Sequence, residues 1–152
     1  MVGLDVFASG GNEIVSAAKA LKKKKLLGFL ADQDGYIHGL PVPFLGQPSS
    51  AVVGPATFAK KFGSPVVPIF ASRKPEGGHI VHILPPLHYN NSGDDDVDMY
   101  TLTEECVRVT EDFIREHPDE WIWFQHRWMT KMSEIVDYDK KLEIRERAHE
   151  KQ

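Results

Sequence analysis

The chain has 152 residues, about one domain, and its 41% apolar and 26% charged residues are ordinary for a globular protein. Its formal net charge of −4 argues against a general role in binding nucleic acid. A single cysteine, Cys106, excludes an intramolecular disulfide, argues against a thiolate zinc site and fits a reducing compartment. No apolar run approaches the ~20 residues of a membrane span, and residues 1–11 lack the features of a secretory signal.

The first third of the chain predicts a strand, a helix and a second strand. Residues 1–9 are mostly apolar and predict a strand, and residues 10–12 predict a turn that ends at a helix-capping asparagine, Asn12. Apolar residues then recur at helical spacing from Ile14 to Leu21. The apolar run Leu26–Ala31 predicts a strand that is buried on both faces.

The middle of the chain alternates between loops, a helix and strands. Residues 32–50 are rich in glycine and proline and predict an irregular loop. A helix should begin at Pro55 and stop at Gly63. Pro65–Ala71 predicts a buried strand, and His79–Leu84 predicts a further strand joined to it in a hairpin, with one histidine on each face.

The last third is mainly helical. After an acidic loop over residues 85–98, an amphipathic helix should run from Tyr100 to His117, and a second helical segment from Trp121 to Trp128. The sum predicts an α/β fold, a layered mixed sheet with flanking helices. We expect residues 1–131 to form this unit and residues 132–152 to form a charged tail, either helical or disordered.

Three polar residues directly follow the strand predicted over Leu26–Ala31. Asp32, Gln33 and Asp34 would lie at the carboxyl end of that strand, where α/β folds place ligand-binding groups. Two carboxylates beside an amide could orient hydroxyl groups of a ligand. The alternative is a turn in which the aspartates cap backbone amides.

Four motifs occur in a fixed order between residues 22 and 131. A DQD turn leads to VPFLG (residues 42–46), then come SAVVGPA (50–56) and SPVVPIF (64–70), and HPDEWIW (117–123) is followed by HRW (126–128). Together they resemble the bacterial lipid A biosynthesis acyltransferases, the lauroyl and myristoyl transferase family. The departure of Leu45 from that family's phenylalanine is conservative.

The resemblance implies a partial glycerolipid-acyltransferase-like domain. Such an enzyme moves a fatty acyl chain from acyl carrier protein or acyl-CoA to a hydroxyl of a lipid A precursor, at the cytoplasmic face of the bacterial inner membrane, without a cofactor. Residues 32–46 look like its acceptor-binding block. The substrate-binding residues that we expect on this basis are Asp32, Gln33, Asp34, Gly35, Phe44, Gly46 and Arg73.

Arg73 belongs to that set as a candidate phosphate-binding group at the end of a predicted strand. Its alternative role is a salt bridge with Asp34 or Glu76.

The catalytic pair of that family is absent. It consists of a histidine with a carboxylate five positions later, which removes the proton of the acceptor hydroxyl. None of the seven histidines has such a carboxylate, and the family's amino-terminal membrane helix is missing too. We therefore expect the carboxy-terminal part of such an enzyme, with no catalytic residue and no activity alone. The alternative is a non-catalytic binding module for an anionic glycolipid or acyl carrier protein.

Aromatic and basic residues cluster near residue 128. Trp128, Arg127 and Lys131 are candidates for contact with an anionic membrane surface. The alternative is that two of the three tryptophans fill the core. No metal site is expected, and an incomplete sheet could be covered by a homo-oligomer.

Overall fold

The computed structural model describes residues 13–150. The strand predicted over residues 1–9 and the turn at residues 10–12 lie outside this range. The predicted α/β class is confirmed, and the strands of the described part form two separate antiparallel pairs. The regular elements are α1 (Glu13–Lys22), β1 (Leu40–Pro41), β2 (Ser50–Ala51), α2 (Gly54–Phe62), β3 (Ile69–Arg73), β4 (His79–Ile83), α3 (Asp95–Glu116) and α4 (Tyr138–Glu150).

The ends of the helices follow from local chemistry. Helix α2 has Pro55 in its first turn and ends at Gly63, whose φ of 61° suits glycine and whose N–H donates to the Ala59 carbonyl. Helix α3 begins at Asp95, inside the predicted acidic loop. The reason is Asp94, whose side chain accepts a hydrogen bond from the Val97 N–H at 3.2 Å and caps the helix.

The strand predicted over Leu26–Ala31 is not formed. This segment is irregular, and the Leu26 side chain is fully exposed. An apolar run becomes a buried strand only where neighbouring strands accept its hydrogen bonds, and no strand in residues 13–150 pairs with this one.

The predicted hairpin is present, although the burial of its first strand was wrong. Strands β3 and β4 pair antiparallel from Ile69 opposite Ile83 to Arg73 opposite His79. Their inner face packs on α3, where the Phe70 ring stacks on Phe113 with 4.4 Å between ring centroids. The outer face, which includes Ile69, Val81 and Ile83, is exposed. The two histidines of β4 lie on opposite faces, as predicted.

The helix predicted from Trp121 to Trp128 is not formed. Between residues 117 and 128 only Pro118–Glu120 is helical, as a single 3₁₀ turn, and residues 121–128 are irregular because their polar groups bond to a distant loop. Helix α4 packs against α3 and buries Ile144 and Ala148 in the main core cluster. The charged end of the chain is thus a packed helix. None of the helices in residues 13–150 is long and apolar enough to cross a membrane.

Candidate functional site

The segment 32–51 is a closed loop that returns to its own start. Strand β1 pairs with β2, and the Gly35 N–H donates to the Ser50 carbonyl at 3.0 Å. The chains approach so closely that a Cβ on Gly35 would lie 2.5 Å from the Ala51 carbonyl oxygen, and one on Gly39 would lie 2.1 Å from Ser50 Oγ. Gly35 is therefore required by packing of the loop.

The tip of the loop is a two-residue turn. Phe44 and Gln47 exchange backbone hydrogen bonds of 2.9 and 3.0 Å across Leu45 and Gly46, which have φ values of 49° and 76°. Two positive φ values are typical of a type I′ turn and favour glycine. The Leu45 N–H also donates to Glu111 Oε1 at 2.8 Å, which ties the tip to α3.

Asp34 braces the loop against the carboxy-terminal segment. Its buried carboxylate accepts hydrogen bonds from the Met129 and Thr130 N–H groups, both at 2.9 Å, and from Thr130 Oγ1 at 2.6 Å. It also accepts one from the Tyr36 N–H at 2.7 Å. Burial alone would raise the pKa of Asp34, but these hydrogen bonds outweigh it, so the pKa lies below its ordinary value. Both oxygens are engaged internally.

Asp32 is half-buried beside the same segment and is bonded through one of its two carboxylate oxygens. Its Oδ2 accepts hydrogen bonds from Trp121 Nε1 at 3.1 Å and from Gln125 Nε2 at 3.2 Å. Among residues 13–150, no donor is bonded to its Oδ1. The neighbouring Gln33 is exposed. A fixed carboxylate oxygen beside an exposed amide can accept from, and donate to, the hydroxyl groups of a ligand.

Arg127 lies in the interior, with 1% of its surface exposed. Its Nη1 donates to the Ser50 carbonyl at 2.8 Å, and its guanidinium carbon lies 4.5 Å from the centroid of the Phe44 ring. Within residues 13–150, its Nε and Nη2 have no hydrogen-bond partner. Burial lowers the pKa of Arg127, and the nearby carboxylates of Asp34, Asp32 and Glu111 offset part of this effect. The expectation that Arg127 meets a membrane surface was wrong, because a buried guanidinium cannot reach headgroups.

Two indole rings near Arg127, those of Trp121 and Trp128, also pack against the core. The Trp121 and Trp128 rings lie 5.4 and 5.8 Å from the Phe44 ring, between centroids, and Trp128 Nε1 donates to the Phe44 carbonyl at 3.4 Å. Two of the three tryptophans thus pack against the core as half-buried rings, and a role of Trp128 at a membrane interface stays a prediction. Lys131 is exposed. Phe44 is itself buried, so it supports the site from within.

Arg73 is bonded to the 3₁₀ turn that follows α3. Its Nε lies 3.1 Å from Glu120 Oε2, and its Nη2 donates to the Asp119 carbonyl at 3.0 Å. The alternative partners named from the sequence, Asp34 and Glu76, were therefore wrong. This pairing fixes the end of the hairpin to the segment that leads to Trp121.

Two other groups have nucleophilic atoms and are poorly placed to use them. Ser72 Oγ lies 2.8 Å from His82 Nε2, but Ser72 is buried and the ring neighbours of His82 are Phe113 and His117. Burial, with a smaller effect of Glu105, raises the pKa of Cys106 to about 11, so its thiol is protonated near neutral pH.

Several residues of the site gave no signal in the sequence. Thr130, Gln125 and Ser50 bind the loop or the guanidinium, yet each belongs to an ordinary polar residue type. Thr130 lies 96 positions from its partner Asp34, so no local spacing could have paired them. The roles of these three residues can be identified only in the folded structure, where residues 121–130 pack against the loop.

Comparison with known proteins identifies a family for this chain. Residues 2–130 match the family described as bacterial lipid A biosynthesis acyltransferase. Two similar proteins are phosphatidylinositol mannoside acyltransferases from two strains of Mycobacterium tuberculosis, each 24% identical over 136 residues. The aligned region covers 88% of this chain and 41% of each relative, so the chain spans about two fifths of their length. The chain belongs to the bacterial lipid A biosynthesis acyltransferase family.

Proposed function

We propose that this chain is the acceptor-binding, carboxy-terminal part of an acyltransferase that acts on a membrane glycolipid. The observation that carries the proposal is the braced loop 32–51 in a chain of this family, with half-buried Asp32 at its edge, whose Oδ1 accepts no hydrogen bond from residues 13–150. The hydrogen bonds that Oδ2 accepts from Trp121 and Gln125 hold the carboxylate in place, so that its other oxygen can accept hydrogen bonds from sugar hydroxyls.

The substrate-binding residues fall into two groups by position. Asp32 and Gln33 contact the acceptor directly, because they have free polar groups at the edge of the loop. Asp34, Gly35, Phe44 and Gly46 keep the loop in shape, and Arg73 fixes the hairpin beside it. The loop therefore binds and orients, and the proton transfer belongs to residues outside this chain.

The reaction needs a histidine paired with a carboxylate. That pair takes the proton of the acceptor hydroxyl, the hydroxyl oxygen attacks the thioester carbonyl, and the thiol of acyl carrier protein or coenzyme A leaves. No histidine of this chain has the required spacing. The isolated chain is therefore inactive.

The acceptor is a lipid A precursor at the cytoplasmic face of the bacterial inner membrane. The family description favours it. The mycobacterial relatives carry the name of another glycolipid, phosphatidylinositol mannoside, which is the second candidate acceptor.

The test combines this chain with the catalytic part of a family member that has the His-x-x-x-x-Asp/Glu pair. Transfer of a radiolabelled acyl group from acyl carrier protein or acyl-CoA is measured with each glycolipid acceptor. We expect transfer only in the combination, and at least about a tenfold loss in Asp32→Asn, which keeps the side-chain shape and weakens a charged hydrogen bond. The control is Asp96→Asn, a half-buried aspartate in the first turn of α3, which should keep full activity. Equal activity in both variants would remove Asp32 from the acceptor site.

A non-catalytic binding module is the second function. It predicts that the chain alone binds an anionic glycolipid or acyl carrier protein, measurable by calorimetry, and that Asp32→Ala with Asp34→Ala weakens the binding. Retained binding in that double variant would exclude the loop as the binding site. A homo-oligomer that covers the outer face of the hairpin is part of the proposal in either case.

A further inference from the structure

Three consecutive large apolar residues protrude beside the braced loop. Ile122 is 68% exposed and Phe124 is 95% exposed, with the half-exposed Trp123 between them. We call Ile122–Phe124 the apolar knuckle. It lies between Trp121 and Gln125, the two residues whose side chains hold Asp32.

The knuckle is held in shape by internal hydrogen bonds. The Trp123 N–H donates to the Trp121 carbonyl at 3.1 Å, and the Gln125 N–H donates to the Ile122 carbonyl at 3.2 Å. The indole N–H of Trp123 donates to the Pro118 carbonyl at 2.8 Å. Because these three N–H groups are bonded within the turn, they keep their hydrogen bonds when the knuckle moves from water into an apolar environment.

The form of the knuckle favours a lipid bilayer as the covering partner. A side chain as exposed as that of Phe124 projects from the surface, whereas stable protein interfaces bury broad, well-packed patches. A fluid bilayer accepts a single projecting ring, and aromatic side chains favour the depth of the headgroups. Exposed His126 and Lys131 follow in the same segment and can face anionic headgroups, although Asp119 is exposed before it.

We propose that the apolar knuckle inserts into the surface of an anionic phospholipid bilayer and holds Asp32 at headgroup level. The role in acceptor binding rests on the proposed function, whereas insertion itself does not. Since Trp121 and Gln125 flank the knuckle and bond to Asp32, its contact with lipid would set the distance of the acceptor site from the membrane. The surface differs from the one expected from the sequence, because Arg127 is buried and Trp128 packs against Phe44.

The test uses the full chain and vesicles of equal parts phosphatidylcholine and phosphatidylglycerol, with no glycolipid. Co-sedimentation should show binding by the unmodified chain. The Phe124→Ser and Ile122→Ser variants should each lower the partition coefficient by about tenfold or more, as expected for the loss of a large buried side chain. The matched control is Ile14→Ser, since Ile14 on α1 is an isoleucine of similar exposure, 64%, outside the hairpin. It should change the partition coefficient by less than about twofold.

A fluorescence measurement identifies the inserted indole. Brominated phospholipids should quench the emission of the unmodified chain, and Trp123→Phe should abolish most of that quenching, because Trp121 and Trp128 pack around Phe44. Circular dichroism should show that all variants are folded.

Three outcomes would overturn the proposal: no vesicle binding by the unmodified chain, equal binding by Ile122→Ser and Ile14→Ser, or quenching that survives Trp123→Phe. If the knuckle binds a protein instead of lipid, the unmodified chain will not bind the vesicles. Vesicle binding without any acyl transfer in the combined enzyme would count against the proposed function and leave the knuckle in place.

Discussion

At the scale of single residues, two buried charges organise the site in different ways. The carboxylate of Asp34 accepts four hydrogen bonds from three residues. Within the described part of the chain, the guanidinium of Arg127 donates one hydrogen bond, to the Ser50 carbonyl, and makes a cation–π contact with the Phe44 ring. Buried carboxylates that accept several backbone N–H groups are held in their charged form. Asp34 therefore stabilises the fold chiefly while it is ionised.

We expect Asp34→Asn to lower the free energy of unfolding by about 1–3 kcal/mol at pH 7, because the amide replaces an acceptor oxygen with a donor that faces N–H groups. The folded-state pKa of Asp34 lies below its value in the unfolded chain. The stabilisation is thus present above the unfolded pKa, about pH 4, and is lost as the pH falls through the folded pKa. Urea unfolding at pH 7 and near pH 2.5 measures the free energy of unfolding of both proteins. The difference in this free energy between wild type and Asp34→Asn should be smaller in acid. Asp96→Asn serves as the control, and a difference that is constant with pH would contradict the assignment.

At the scale of elements, α4 shows how a charged sequence can still belong to the core. Only Ile144 and Ala148 are buried on it, four positions apart and thus on one face, and they join the cluster around Tyr100. The remaining face is exposed and charged. A helix of 13 residues is marginal alone in water, so its stability depends on this contact with α3.

Ile144→Ala should therefore lower the free energy of unfolding by about 2–4 kcal/mol, through lost apolar burial and the cavity that remains. Glu143→Ala, at an exposed position on the same helix, should change it by less than about 0.5 kcal/mol. Thermal and denaturant unfolding of both variants make the comparison. Equal, small effects would mean that the end of the chain is a solvated tail and not a packed helix.

At the scale of the whole molecule, apolar surface is left uncovered at the hairpin. The outer face of β3 and β4 exposes Ile69, Val81 and Ile83 side by side. Exposed apolar strands in a two-stranded sheet are prone to pair with other chains. This face is the candidate surface for the proposed homo-oligomer.

Sedimentation velocity over a range of protein concentrations should show association of the unmodified chain. Val81→Lys places a charge in the middle of this face and should shift the equilibrium to monomer. The thermal stability should not change, because the Val81 side chain is largely exposed and is not part of the core. The control is Leu26→Lys, at a fully exposed apolar residue away from the hairpin. Association that both variants retain would show that the hairpin face is not the contact.

The sequence by itself determined the features that depend on residues close together in the chain. Helix α2 with its terminal glycine, the β3–β4 hairpin and the helical character of residues 100–116 follow from spacing, caps and turns. The order of four motifs was enough to identify the family, since motif order does not require knowledge of contacts.

Only the tertiary structure decided which polar and apolar residues are covered. Arg127 looked like a surface cation and is buried, whereas Leu26 looked like core and is exposed. The role of Asp34 depends on Thr130, which lies 96 positions away. Burial and long-range hydrogen bonds depend on which segments meet in space, and a local pattern of residue types does not contain that information. For this reason the sequence could indicate the loop at residues 32–46 as a candidate site, while the hydrogen bonds that brace it from residues 121–130 became visible only in the fold.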